Sequence, residues 1–220
     1  MIRNYIITAL RNIVRFKLHS VINIGGLALG ISIFTLIMIY VVSELSYDKY
    51  HENYDKIYEL SVFDELITTA HIGYTMKEKF PDIRHLVRVD QHYGGGKNAY
   101  LKQENSDKLV DFKDIIYSEP DFFNMFSVEP VAGDLSTALN NPYALVLTES
   151  SAVKLFGSTD VVNKSVDFIS GEGKIRHIFT ITAVIADVPD NSSIKYTAIA
   201  SFSTLNDIKP GGIEVDQDHY

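Results

Sequence analysis

The chain has 220 residues, enough for one sizeable domain or two small ones with real cores, and carries 20 Lys+Arg against 28 Asp+Glu for a net charge of −8. It contains no cysteine, which excludes a disulfide framework, a thiolate metal site and a cysteine nucleophile and leaves stability to ordinary packing. Four basic residues (Arg3, Arg11, Arg15, Lys17) and no acid occupy the first 20 positions, leaving 16 basic and 28 acidic residues, a net of −12, in the remainder, a balance that argues against a nucleic-acid partner.

Residues 2–16 place Ile2, Tyr5, Ile6, Ala9, Leu10, Ile13, Val14 and Phe16 at the i, i+3, i+4, i+7 spacing of one helical face, with the arginines mostly on the other. A basic amphipathic helix next to a membrane span lies in the inner headgroup layer and meets anionic lipid, so membrane lipid is an expected partner. The same residues also serve as a plain orientation signal.

Between Lys17 and Glu44 no side chain is charged, counting His19 as neutral. The run Val21–Val42 gives about 33 Å of helix at ~1.5 Å per residue, enough to cross a hydrocarbon core of roughly 30 Å. The residues that follow, Ser43-Glu44-Leu45-Ser46-Tyr47, offer no small-x-small cleavage site, so the run reads as an uncleaved span rather than a signal peptide. The basic flank keeps the N-terminus cytoplasmic and places residues 44–220 outside the cytoplasm, which makes this a protein of the cytoplasmic (inner) membrane. Within the span, Gly26-Leu27-Ala28-Leu29-Gly30 is a small-xxx-small pattern, and Gly26 and Gly30 would let another helix approach closely. The predicted divisions are a cytoplasmic helix over 1–17, a span over 18–43, a stalk over 44–58 and an exterior domain over 59–220.

The stalk is polar and tyrosine-rich from Tyr47 to Tyr54. His51, Glu52 and Asp55 include a His/Asp pair one turn apart, but mixed ligands at a membrane exit read as a hydrogen-bonded hinge rather than a metal site. A first strand is predicted over Ile57–Phe63, a helix over 64–80 ended by Pro81, and a strand over Ile83–Asp90, which together have the size of a βαβ unit. His92–Asn98 is a glycine-rich hairpin loop that lacks the spacing and Ser/Thr of a phosphate-binding loop, so ATP hydrolysis is not expected in this chain.

Paired strands are predicted over Tyr100–Gln103 and Val110–Tyr117, and a short helix burying Phe122, Phe123 and Phe126 after Pro120, in a part that ends at Gly133-Asp134. The stretch 141–148 reads as a strand running into a helix, with Thr148 as N-cap, Glu149–Phe156 as the helix and Gly157 as the left-handed C-cap. Thr148 and Ser150 flank Glu149, but no Gly-x-Ser-x-Gly elbow or placed histidine base accompanies them, so catalysis is not expected. The remainder is β-rich: Ser165–Ile169, a turn at Gly171-Glu172-Gly173, Ile178–Val188, a loop to Ile194, and Tyr196–Phe202.

Several of these blocks carry a family resemblance. Arg11-Asn12, the run Asn23-Ile24-Gly25-Gly26-Leu27-Ala28-Leu29-Gly30, the segment Asp48-Lys49-Tyr50-His51-Glu52-Asn53-Tyr54-Asp55-Lys56-Ile57-Tyr58, Leu145–Ser150, Lys154–Gly157 and Val184–Ile194 occur in one order across nearly the whole chain. That order resembles permease subunits of the MacB/FtsX type of ABC transporter. The resemblance implies an α+β fold: one N-terminal transmembrane helix, then a MacB-like periplasmic core domain with a βαβ (ferredoxin-like, porter-type) part and a β-rich subdomain. It also implies a separate ABC ATPase subunit that binds ATP, no cofactor in this chain, and a homodimer or a pseudo-dimer with a second permease half. Asp48, Tyr50, His51, Asn53 and Asp55 would act as stalk and coupling residues. Family members continue into further membrane helices, so a chain ending at Tyr220 is expected to be a fragment or a truncated product. A single-pass anchored binding or sensor domain fits the orientation and the acidic exterior equally well.

Overall fold

The structure, a computed structural model, describes residues 2–60, 70–91, 99–104, 106, 109–170 and 175–208. The predicted loop at 92–98, the Gly171–Gly173 turn and the last residues of the chain lie outside these. Two compact units divide at Tyr47/Asp48.

The first unit is helical. Helix α1 spans Ile2–Arg15 and α2 spans Lys17–Glu44, with Phe16 between them at φ −112°, ψ 55°, off the helical conformation. Helix α2 is 28 residues long, buries none of them, and is long and apolar enough to cross a membrane. Its two central hydroxyls are satisfied within the helix: Ser32 Oγ donates to the Ala28 carbonyl and Thr35 Oγ1 to that of Ile31, each at 2.8 Å. In hydrocarbon, where no water would serve them, that matters.

The second unit is built on one mixed sheet. In chain order the described residues give α3 (Ala70–Lys79), β1 (Val89–Asp90), β2 (Ala99–Gln103), β3 (Val110–Phe112), β4 (Ile115–Ser118), α4 (Phe122–Met125), β5 (Pro130–Gly133), β6 (Ala144–Thr148), α5 (Glu149–Phe156), β7 (Ser165–Ser170), β8 (Ile175–Ile185), β9 (Ala198–Ser201) and α6 (Thr204–Ile208). The spatial order is β1-β4-β9-β6-β8-β7-β2-β3, with β5 also on β8. The pairs β4/β9 and β6/β8 are parallel and the others antiparallel.

Continuous apolar runs explain the centre. Strands β4, β6 and β9 are buried at every position, as strands covered on both faces must be. Alternate residues divide between two cores. Ile115, Tyr117, Leu145, Leu147, Ala198 and Ala200 join Phe168, Phe179 and Leu155 of α5 on one side. Ile116, Val146 and Ile199 join Phe122 of α4, Ile185 and Tyr196 on the other. Helix α5 has the expected caps: Thr148 Oγ1 accepts from the Ser151 amide, and Gly157 sits at φ 72°.

Three expectations need correction. Residues 57–60 form no strand; Tyr58 and Glu59 are both exposed, so there is no alternating face to bury, while 61–63 lie outside the described residues. The predicted strand over 83–90 is reduced to β1, because Glu119 and Ser118 side chains take the Arg88 backbone. The Arg88 amide donates to Glu119 Oε2, and Ser118 Oγ donates to the Arg88 carbonyl. The first strand and the start of the helix of the expected βαβ unit over 57–90 lie partly outside the described residues, and its last strand, β1, pairs antiparallel with β4. Among the described residues a parallel crossover joins β6 to β8 through α5, with β7 inserted. Finally, Val110–Tyr117 is two strands, broken at Asp114 (φ 58°), which lets the chain leave β2 and join β9. The separate βαβ and β-rich parts thus share one sheet within a mixed α+β unit.

Gly133 in β5 has φ +86°, and a Cβ there would lie 2.5 Å from the Thr182 carbonyl oxygen, whereas Gly157 has open space around it. Gly133→Ala is expected to cost about 2–3 kcal/mol and Gly157→Ala about 1 kcal/mol, read from the urea midpoints of the two variants side by side.

Candidate functional site

The stalk segment lies against two loops of the core domain. Asp48 adopts φ 57°, an αL conformation that Asp tolerates better than most residues. There its amide donates to the Asn191 carbonyl at 2.9 Å, and its Oδ1 accepts from the Ser193 amide at 2.8 Å. The latter is a charge-assisted bond, the stronger kind. Two residues on, the Tyr50 hydroxyl meets Ser192 Oγ at 2.8 Å. Ser192 Oγ spends its one hydrogen on the Ile194 carbonyl at 3.0 Å, so Tyr50 is the donor in that pair. Burial raises the Tyr50 pKa, and the Asp48 charge adds to this.

His51 faces the other loop and is only 5% exposed. Its Nδ1 accepts from the Ser127 amide at 3.1 Å, while the Glu52 amide donates to Ser127 Oγ at 2.8 Å. Segment 51–52 and Ser127 are therefore bonded in both directions. Burial lowers the His51 pKa, and the Asp48 carboxylate opposes it in part. An acceptor Nδ1 fixes the neutral ring with its proton on Nε2.

The rings continue this contact into the core. Tyr50 and His51 are 4.0 Å apart between centroids, His51 and Phe126 5.2 Å, Phe126 and Phe122 4.7 Å, and Phe122 and Tyr196 5.7 Å. The His51–Phe126 and Phe122–Tyr196 contacts are edge-on, an arrangement worth about 0.5–1.5 kcal/mol per aromatic pair beyond burial. Tyr196 lies deep enough that burial raises its pKa strongly.

Of the five stalk residues singled out in the sequence, Asp48, Tyr50 and His51 converge on this joint. Asn53 and Asp55 lie on the exposed side of the 3-10 turn Tyr54–Lys56, where the Asn53 carbonyl accepts the Lys56 amide. Asn53 also lines an open cleft of about 410 Å³ with Glu52, Phe123, Ser127 and Glu129. The partners Ser127, Asn191, Ser192 and Ser193 were not paired with the stalk by sequence reasoning, although both of their segments carried signals: an aromatic cluster at 122–126 and a family pattern at 184–194. Gly26 and Gly30 have nothing within 4 Å of where a Cβ would stand, so that face of α2 is open. The Thr148 and Ser151 hydroxyls serve the α5 cap and the Thr197 carbonyl, and Ser150 Oγ bonds Asp187. Among the described residues no group of three or more His, Asp or Glu is placed to hold a metal.

The profile of the MacB-like periplasmic core domain matches residues 20–217. The chain belongs to this family. The matched stretch takes in most of the helix able to span a membrane as well as the sheet domain. Similar solved structures include a domain assigned to a permease protein from Porphyromonas gingivalis, at 26% identity and a TM-score of 0.52, covering 65% of this chain and 60% of that one. The periplasmic region of MacB from Actinobacillus actinomycetemcomitans is 14% identical with a TM-score of 0.46, covering 66% and 60%. The extracellular domain of the noncanonic ABC-type transporter YknZ from Gram-positive bacteria is 14% identical with a TM-score of 0.43, covering 64% and 65%. The chain therefore spans less than two thirds of the length of each of these. No curated protein matches it in sequence.

Removing the hydroxyl from one side of the Tyr50–Ser192 pair exposes its worth in the MacB-like domain. A double-mutant cycle of Tyr50→Phe and Ser192→Ala is expected to give a coupling energy of about 1 kcal/mol in urea unfolding.

Proposed function

We propose that this chain supplies the N-terminal span and exterior domain of an ABC transporter permease. In this reading, ATP hydrolysis in a separate cytoplasmic ATPase subunit moves the membrane helices. Residues 48–51 carry that movement into the core domain, for export or release of envelope substrates. The observation that supports it is the joint itself: within four residues, Asp48, Tyr50 and His51 engage two loops that are more than 60 residues apart in sequence. A plain tether needs no such contacts, whereas a part that transmits force has to be fixed at more than one point. The chain binds no nucleotide in this reading; the ATPase does. The N-terminus is cytoplasmic, with the α1 arginines on anionic lipid, and the open Gly26/Gly30 face receives a helix of a second permease half or of a second copy.

Two experiments test this. Since the chain has no cysteine, single replacements report sidedness directly. Ser158→Cys is expected to react with a membrane-impermeant maleimide in intact spheroplasts, and Asn12→Cys only after lysis. The opposite pattern reverses the orientation. For coupling, Asp48→Gly keeps the positive φ and deletes the carboxylate. In the full-length permease with its ATPase, it is expected to leave ATP hydrolysis in place and lower export about tenfold, a coupling loss in the usual range for linked sites. Undiminished export would remove the coupling role and favour an anchored binding or sensor domain.

A further inference from the structure

The joint has two halves of different chemistry. The Asp48 half consists of an amide donor and a carboxylate acceptor on the 191–193 backbone. The His51 half depends on one lone pair. The Ser127 amide points its hydrogen at Nδ1, and that nitrogen accepts only while it carries no proton. Protonation would set two N–H groups against each other and leave a cation in a site that is 5% exposed, walled by Tyr50 and Phe126.

We infer that the joint is a proton-sensitive latch: neutral His51 holds residues 51–52 on the 126–127 backbone, and protonation of its imidazole releases them while Asp48 stays engaged. The inference rests on the reading of residues 48–51 as the coupling joint.

Among the described residues, the charged groups on the segment of His51 are Asp48, whose carboxylate pulls toward the protonated ring, Glu52, which lines the open cleft, and the exposed Lys49, Asp55 and Lys56. The segment packed on the ring contributes Phe126 and the Ser127 amide, neither titratable, and Glu129 only at the cleft wall. From the other loop the charged groups are Asp190 and Lys195. The Lys195 ammonium is occupied by the Pro189 and Asp190 carbonyls of that same loop.

Burial outweighs Asp48, so the closed joint holds the His51 pKa below its ordinary value. A base held low in one state favours that state fully above its free pKa, about 6.5, and ceases to do so as pH falls through the window beneath it. With a free value of about 6.5, the closed-to-open ratio at pH 5.5 falls up to roughly tenfold from its value at pH 7.5.

The test is hydrogen exchange on the whole chain in lipid nanodiscs at pH 7.5, 6.5 and 5.5, corrected for intrinsic exchange, read at the Ser127 and Glu52 amides. Wild type is expected to lose protection as the pH falls, by up to roughly tenfold between pH 7.5 and pH 5.5. His51→Gln, which keeps a side-chain acceptor but cannot titrate, is expected to be flat, and Ser127→Ala, which keeps the amide, is expected to follow wild type at the Ser127 amide. A flat wild-type profile, or the same decline in His51→Gln, overturns the latch. A flat profile together with an export defect in Asp48→Gly would remove the latch and leave the coupling joint standing, so the two failures are distinguishable.

Discussion

Burial of β4, β6 and β9 on both faces is the constraint from which the rest of this domain follows. A strand with apolar side chains on both sides needs two covers. On one side α5 and apolar residues of β2, β3, β7 and β8 supply it; on the other it comes from α4, the stretch around Leu139, and the residues leading into β9. That second cover is also the ground on which the stalk rests. Phe122 and Tyr196 face the sheet, and their neighbours Phe126 and Ser192 face residues 50–51. Core packing and the joint therefore share side chains, and the position of the loops at 126–127 and 191–193 is set by the same apolar contacts that hold the sheet together.

The polar contacts at the joint are individually modest, since a typical hydrogen bond contributes about 1 kcal/mol net. Their effect lies in arrangement. Asp48 and Tyr50 reach one loop and His51 and Glu52 the other, so the segment has two lines of contact and cannot rotate about either one alone. Asp48 in the αL region supplies the change in chain direction that makes both lines reachable within so few residues.

Much of the architecture was legible in the sequence where local chemistry decided it. Thr148 and Gly157 announced the ends of α5, the uncharged run announced α2, and the stretches at 110–117, 141–148 and 196–202 announced strands. The misreadings arose where a distant partner decided. The strand over 83–90 was forestalled by Glu119 and Ser118, thirty residues away, which take the Arg88 backbone. The stretch at 57–60 has strand-like composition, but Tyr58 and Glu59 both face solvent. The stalk residues were singled out on the family resemblance of their segment, which cannot separate Asp48 and His51 from Asp55. What separates them is contact with Ser193 and Ser127, 145 and 76 residues further on, and no period or propensity encodes such distances.

Two points of the joint join a side chain of the stalk to a main-chain amide of the domain. A main-chain amide is present whatever residue occupies positions 127 and 193, proline excepted. The grip therefore depends on the identity of Asp48 and His51 far more than on what they hold. Substitution can vary the domain side while a short, nearly fixed word is kept at the membrane exit. In such an arrangement, domains of divergent surface could be hung on the same kind of span without redesigning the attachment.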